Sequence, residues 1–301
     1  MPTEADLHLG GQALMEGVMM RSERFYAAAV RRKDGSIQII DEPIKPRWRR
    51  TKLMMIPPLR GLAVLLETMT LGIKLTRWSA DAFMEDAGQQ KTSNRGFAIE
   101  LAISFAIVIG LFVALPHLIA GWGDTIDAFG RTAANLLEGG LRLSFFAIFL
   151  FSIGQLSDIR TLFAYHGAEH KVVHTVENSH PLTASAAKQF PRAHPRCGTA
   201  FVFLALMMTI LVFACLPWDQ WEWWQRIASR IVLLPIIAGF SYELIRFIAR
   251  GRHGNLLMPL IIPGLWLQSL TTREPTTEQL EVAVAAMDRV LLREGNNNSH
   301  A

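Results

Sequence analysis

FAIELAISFAIVIGLFVALPHLI, residues 97–119, is a run of 23 residues whose only charged side chain is Glu100. A helix needs about 20 predominantly apolar residues to cross the hydrocarbon core of a bilayer. Three further apolar stretches of near that length follow at 141–157, 199–216 and 231–249. Half of the 301 residues are hydrophobic, which is too many for an ordinary soluble domain. The sequence therefore predicts a mainly α, polytopic membrane protein with about four transmembrane helices.

Two other apolar segments are ambiguous. Pro57 to Trp78 reads as a helix in which Arg60, Glu67 and Lys74 recur every seven residues. This pattern is typical of an amphipathic helix at the membrane interface or along the bundle, because a true span would carry three ionisable groups through hydrocarbon. Residues 255–270 are apolar but short and contain two prolines, which favours a re-entrant or interfacial segment.

The amino-terminal region has the pattern of β-structure. Tyr26–Arg32 and Ser36–Ile40 flank Lys33-Asp34-Gly35, and an Asp-Gly turn between two such runs predicts a β-hairpin. At the other end, Thr276 and Gln279 form a capping box that begins a helix, and Gly295 is expected to end it. The predicted organisation is a β-rich lobe at 1–55, an amphipathic helix and linker at 56–96, a membrane domain at 97–270 and a carboxyl-terminal helix and tail at 271–301.

The distribution of basic residues predicts the orientation. Residues 1–96 hold 15 of the 30 lysines and arginines, the loop 158–198 holds five, and the loop 120–140 holds one. Basic loops stay on the cytoplasmic side, so both termini and the loop 158–198 are predicted to be cytoplasmic. The expected partners are the bilayer and, at the basic segment 46–52, anionic lipid head groups or a protein. We predict no nucleic-acid partner, and the sequence leaves the oligomeric state open.

The loop 158–198 contains the sequence's strongest chemical motif, Tyr165-His166-Gly167-Ala168-Glu169-His170. On a helix the two imidazoles share one face, one turn apart, within reach of one divalent ion. This is the H-x-x-E-H pattern, in which the histidines are ligands and the glutamate activates water.

A third ligand has to come from elsewhere. The candidates are His194 and Cys197 of a second cluster, Glu177 if the helix breaks before it, and Glu243 of the last predicted span. Glu177 lies about 10 Å beyond His170 along an unbroken helix, at ~1.5 Å per residue. Cysteine with imidazoles suits zinc better than iron or manganese. Three alternatives remain open. The histidines could merely cap helices and bind water, and Glu243 could pair with Arg246. Cys197 could also act as a nucleophile with His194 as its base.

Long motifs over almost the whole chain resemble the YqhQ-like bacterial membrane proteins, the group called domain of unknown function 1385. They are Gly10–Ala13 with Glu16–Arg21, Tyr165–Lys171, His194–Thr199, and Pro263–Gln268 with Thr271–Pro275. The resemblance implies a metal-dependent enzyme of the bacterial inner membrane. It points, residue by residue, to His166, Glu169, His170, His194 and Cys197.

The sequence thus predicts a zinc hydrolase for amides or esters at the cytoplasmic membrane face. Glu169 would be the general base, and Glu243 or Arg196 would polarise the substrate. A non-enzymatic scaffold or assembly factor with a structural metal is the main alternative, because a cysteine ligand is commoner in closed structural sites. Transport is a third reading, supported only by Glu100, Glu243 and Arg246.

Overall fold

The structure is a computed structural model of the whole chain. It describes residues 9–45, 56–115, 119, 131–195, 197–216, 221–249, 258–260 and 262–298.

Four strands form an antiparallel sheet in chain order, β1 (Gly10–Leu14), β2 (Gly17–Arg21), β3 (Phe25–Arg31) and β4 (Ile37–Pro43). The predicted hairpin is confirmed as β3 and β4, which pair from Phe25 opposite Pro43 to Arg31 opposite Ile37. Gly35 in the turn has φ of +85°, a conformation that glycine adopts without steric cost.

Helices make up most of the remaining described chain, so the mainly α class is confirmed. They are α1 (Pro57–Asp86), α2 (Asn94–Ile109, continued by a π-helical turn Gly110–Ala114), α3 (Arg131–Ile153), α4 (Ser157–Glu177), α5 (Ala184–Lys188), α6 (Gly198–Ala214), α7 (Trp223–Ala249), a 3₁₀ turn (Met258–Leu260), α8 (Ile262–Thr271) and α9 (Thr277–Asn298).

The sheet is covered by helices on both faces. Side chains alternate along each strand, so Val18 and Met20 face one side while Met19 faces the other. The first face packs against α4 and α9, and the second packs against Leu75 of α1. The amino-terminal sheet therefore shares its core with helices that lie far along the chain.

The charged stripe of α1 faces folded parts of the protein. Glu67 pairs with Arg21 of β2, and Lys74 pairs with Glu42 of β4. Arg60, nearer the start of the helix, pairs with Glu243 of α7 at 2.5 Å. The sequence placed this helix either at the membrane interface or along the bundle. In the structure it packs along β2, β4 and α7, and its regularly spaced charges meet partners there.

The number of candidate spans is lower than predicted. Within the described residues, two helices are long and apolar enough to cross a membrane, over Asn94–Phe112 and Ala228–Ile248. A third crossing is possible if Gly139–Ile153 and α4 are one broken span, but the two helices meet at a bend of 103°. α6 has 17 residues, just short of the usual length.

The carboxyl-terminal part of the described chain also tests the sequence predictions. The capping box is present: the main-chain N–H of Thr276 donates to Gln279 Oε1 at 3.0 Å, and that of Gln279 donates to Thr276 Oγ1 at 3.3 Å. The helix continues past Gly295 to Asn298, so the predicted end was three residues too early. Of the segment 255–270 the structure describes 258–260 and 262–270, and the 10-residue α8 there is by itself too short to cross a bilayer.

Candidate metal centre

Helix α4 carries the histidine motif and is held from behind by the segment that follows α8. A Cβ built on Gly167 would lie 2.1 Å from the carbonyl oxygen of Arg273, so only glycine allows this approach. His166 and His170 lie one turn apart, as predicted, with ring centroids 4.5 Å apart. The close backbone contact therefore fixes the helix that presents both rings.

Main-chain carbonyl groups orient both imidazoles. Nδ1–H of His166 donates to Thr271 O at 2.9 Å, and Nδ1–H of His170 donates to Arg192 O at 2.5 Å. In the neutral form of each ring the lone pair is then on Nε2. This is the arrangement by which outer-shell partners fix the tautomer of metal-binding histidines.

The free lone pairs converge on a cysteine. His166 Nε2 lies 3.2 Å from Cys197 Sγ, and His170 Nε2 is buried with no hydrogen-bond partner among the described residues. One donor atom from each of these three residues lies within 4.8 Å of the other two. We call His166, His170 and Cys197 the first triad.

The first triad has the electrostatics of a thiolate beside imidazole. Burial alone would raise the pKa of Cys197, but the hydrogen bond from His166 and the charges of the two neighbouring imidazoles outweigh it and lower that pKa well below the usual value. Burial likewise opposes protonation of His166, yet its hydrogen bond to Cys197 raises its pKa to about 9. The two shifts favour a thiolate on Cys197 beside a protonated His166, so an ion that binds here would replace the Nε2 proton of His166.

His174, Glu177 and His194 form a second group, which we call the second triad. Their donor atoms also lie within 4.8 Å of one another. His194 Nε2 lies 3.3 Å from Glu177 Oε2, and Nε2–H of His174 donates to Ala193 O at 2.8 Å. Burial, and then the charge of His170, lowers the pKa of His194 to about 4, so the ring is neutral at pH 7. Of the predicted third ligands, Cys197 therefore joins His166 and His170, whereas His194 and Glu177 lie in this separate group.

Gln268 of α8 is a positioning residue that the sequence reading did not single out. Its fully buried amide accepts from the main-chain N–H of His194 at 2.8 Å and donates to the carbonyl of the same residue at 3.1 Å. In the sequence, this role was indicated only by the place of Gln268 in the Pro263–Gln268 motif.

Glu169 lies beside the first triad and is 7% exposed. Its side chain packs on β1, where a Cβ on Gly11 would come within 2.8 Å of Glu169 Cγ. Burial raises the pKa of Glu169, and the charges of His170 and His166 oppose that rise. A carboxyl with an elevated pKa is suited to accept and return a proton.

The other two predicted catalytic residues are not in the centre as the structure describes it. Glu243 is paired with Arg60 in a bidentate arrangement, at 3.0 and 2.5 Å, rather than with Arg246 or a residue of either triad. The reason is the close packing of α1 on α7, since a Cβ on Gly61 would lie 2.6 Å from Gly239 O. Arg196 lies outside the described residues.

The donor set of the first triad fits zinc. One thiolate and two imidazoles are characteristic zinc ligands, and three protein ligands leave a fourth tetrahedral position for water or substrate. His170 Nε2 is buried without a hydrogen-bond partner among the described residues, and an ion held by the first triad would satisfy it.

Fold and site together define a mainly helical protein in which a small antiparallel sheet supports a buried histidine and cysteine centre. Residues 56–293 match the family described as "Protein of unknown function (DUF1385)". The chain belongs to this family. It is similar to "Uncharacterized protein YqhQ" of Bacillus subtilis (strain 168), with 32% identity over 294 residues, covering 94% of this chain and 92% of that protein. No solved structure matches the chain.

Proposed function

We propose that this protein is a zinc-dependent hydrolase embedded in the bacterial inner membrane, with its metal centre on the cytoplasmic side. The observation that carries the proposal is the orientation of His166 and His170. In both rings Nδ1–H donates to a main-chain carbonyl group, and Nε2 lies on the side of Cys197. Such orientation leaves the first triad ready to bind an ion.

The apolar helices support the membrane part of the proposal. α2 has no buried residue, and Ile99, Ile103 and Ile107 are each more than half exposed. A surface of this kind is stable in hydrocarbon and a liability in water. Half of the basic residues precede residue 97, which favours a cytoplasmic amino terminus.

His166, His170 and Cys197 would hold the zinc ion, which supplies Lewis acidity and makes water a nucleophile near neutral pH. Glu169 is the general base: it takes the proton from the attacking water and delivers it to the leaving amine or alcohol. The substrate class that this chemistry fits is an amide or ester. Burial raises the pKa of Glu169, which favours a carboxyl that returns the proton it has accepted.

Metal analysis tests the binding part of the proposal. Detergent-purified wild type should contain zinc in at least equimolar amount, and the double variant His166→Ala, His170→Ala should lose the ion of the first triad. His180→Ala is the matched control, because His180 is an exposed histidine of the same region that belongs to neither triad. Equal zinc in the double variant and in this control would refute the site.

A non-enzymatic scaffold with a structural zinc is the second candidate. Two observations favour it: Cys197 is only 7% exposed, and the main chain of Arg192 and of His194 bonds to α4 and α8 respectively. Glu169→Gln separates the two functions when metal content and hydrolysis of ester and amide substrates are measured together. An enzyme should keep its zinc and lose turnover by at least ~100-fold, whereas a scaffold should show no turnover in either form.

A further inference from the structure

We propose that the second triad, His174, Glu177 and His194, is a second divalent-cation site beside the first, so that the centre holds two ions. This goes beyond the proposed function, which needs one ion. Its failure would leave the first triad untouched, so the two ideas can be tested separately.

The two triads are built in the same way. α4 supplies two donors to each, His166 with His170 and then His174 with the residue one turn later, Glu177. The segment before α6 supplies the third donor to each. One helix and one loop therefore present two successive sets of three ligands, which is the construction expected of a two-ion centre.

The imidazole rings form a continuous row between the two sets. Ring centroids are 4.5 Å apart for His166 and His170, 5.7 Å for His170 and His194, and 4.6 Å for His194 and His174. His170 and His194 are 2% and 4% exposed. The two sites thus share one row of four rings whose inner two are buried. The Cys197 thiol lies at one end of the row and the Glu177 carboxylate at the other.

Each triad contains one acidic ligand. Cys197 and Glu177 each bring one negative charge to their own triad, and Glu169 lies beside the row. Gln268 fixes the main chain of His194 from both sides, which holds the ligand of the second set in place. A built support of this kind is typical of metal ligands.

The two sites should differ in the metal they accept. The first triad offers sulfur and two nitrogens and selects zinc. The second offers two nitrogens and a carboxylate oxygen, a set that zinc, iron and manganese all accept. The ligand of the second site is therefore a divalent transition-metal ion bound without sulfur.

Cobalt(II) titration of the metal-free protein in detergent tests the proposal, because cobalt bound to a thiolate shows a sulfur-to-metal charge-transfer band in the near ultraviolet. In wild type the band should saturate after one equivalent, and visible ligand-field absorption should rise to two equivalents. Glu177→Gln and, separately, His174→Gln should each bind one equivalent with the band intact. The intact band also shows that the centre has folded in these variants, and His180→Ala should behave as wild type.

Other outcomes overturn it. One equivalent in wild type, with the band, and no change in Glu177→Gln would show that Glu177 only hydrogen-bonds His194; the first site would stand. Two equivalents in both wild type and the two variants would place the second ion elsewhere. If cobalt binds without a sulfur-to-metal band, or does not bind, both this inference and the proposed function are refuted.

Discussion

α2 and α4 reverse the usual relation between polarity and burial. α2 is apolar along its length, and none of its 16 residues is buried. α4 carries five charged residues and three histidines, and twelve of its 21 residues are buried, including Glu169, His170 and Lys171. An apolar helix left uncovered needs a nonpolar surrounding, and a polar helix inside a protein needs partners for each buried group. The first condition agrees with the proposed bilayer, and the second agrees with the proposed ion.

The largest effect is expected from a charge on the uncovered helix. Ile103→Arg places a guanidinium near the middle of α2, at a residue that is 54% exposed, and should cost about 3 kcal/mol of insertion free energy. The recovery of full-length protein in the membrane fraction measures it. Leu292→Arg on α9, where the leucine is 50% exposed, is the control and should be neutral. If both variants are equally well tolerated, α2 does not lie in lipid.

The second-largest effect is expected from removing the Gln268 amide that holds the main chain of His194. Gln268→Leu leaves the buried N–H and C=O of His194 without the amide that pairs with both, at a cost of about 2 kcal/mol. It should also weaken metal retention by roughly 10-fold or more, as outer-shell changes commonly do. Thermal unfolding and chelator competition measure the two effects. Gln155→Leu, at an exposed glutamine that bonds the Phe151 carbonyl and the exposed Arg160 side chain, should change neither.

Adding one methyl group distinguishes the two helices directly. Gly167→Ala would place a Cβ against the Arg273 carbonyl, and overpacking of this kind costs roughly 1–3 kcal/mol. Gly110→Ala, at the end of α2, meets no atom within 4 Å and should be neutral or stabilising by up to about 1 kcal/mol. Unfolding in detergent checks both. Equal stability for the two variants would mean that α4 does not touch the 273 segment.

The smallest effect concerns the helix that covers α4. Thr276→Ala removes the cap of α9 and should destabilise the protein by about 1 kcal/mol, because Gln279 N–H loses its acceptor. Thr277→Ala, one residue further on, keeps the capping box and serves as the control. A loss as large in the control as in Thr276→Ala would argue against the cap.

Local chemistry made part of this architecture predictable. The Asp34-Gly35 turn, the Thr276 cap and the pairing of His166 with His170 each depend on residues a few positions apart, and each is present in the structure. The mainly helical class followed from the long apolar runs. These features need no knowledge of the tertiary fold.

Long-range pairing was not predictable. The sequence placed Glu243 near the metal or beside Arg246, yet its partner is Arg60, 183 residues away. It offered His194 and Cys197 as equivalent third ligands, although the loop divides them between two triads. Gln268 gave no chemical signal of its own, since an amide that binds main chain looks like any other glutamine. In each case the deciding contact joins elements whose relative placement only the fold determines.

Zinc K-edge X-ray absorption on protein loaded with one equivalent of zinc tests the central claim, that the first triad binds the ion. The account predicts one sulfur at about 2.3 Å and at least two imidazole nitrogens at about 2.0 Å, with the sulfur lost in Cys197→Ser. A shell of nitrogen and oxygen alone in wild type, or zinc that is not retained, would contradict it.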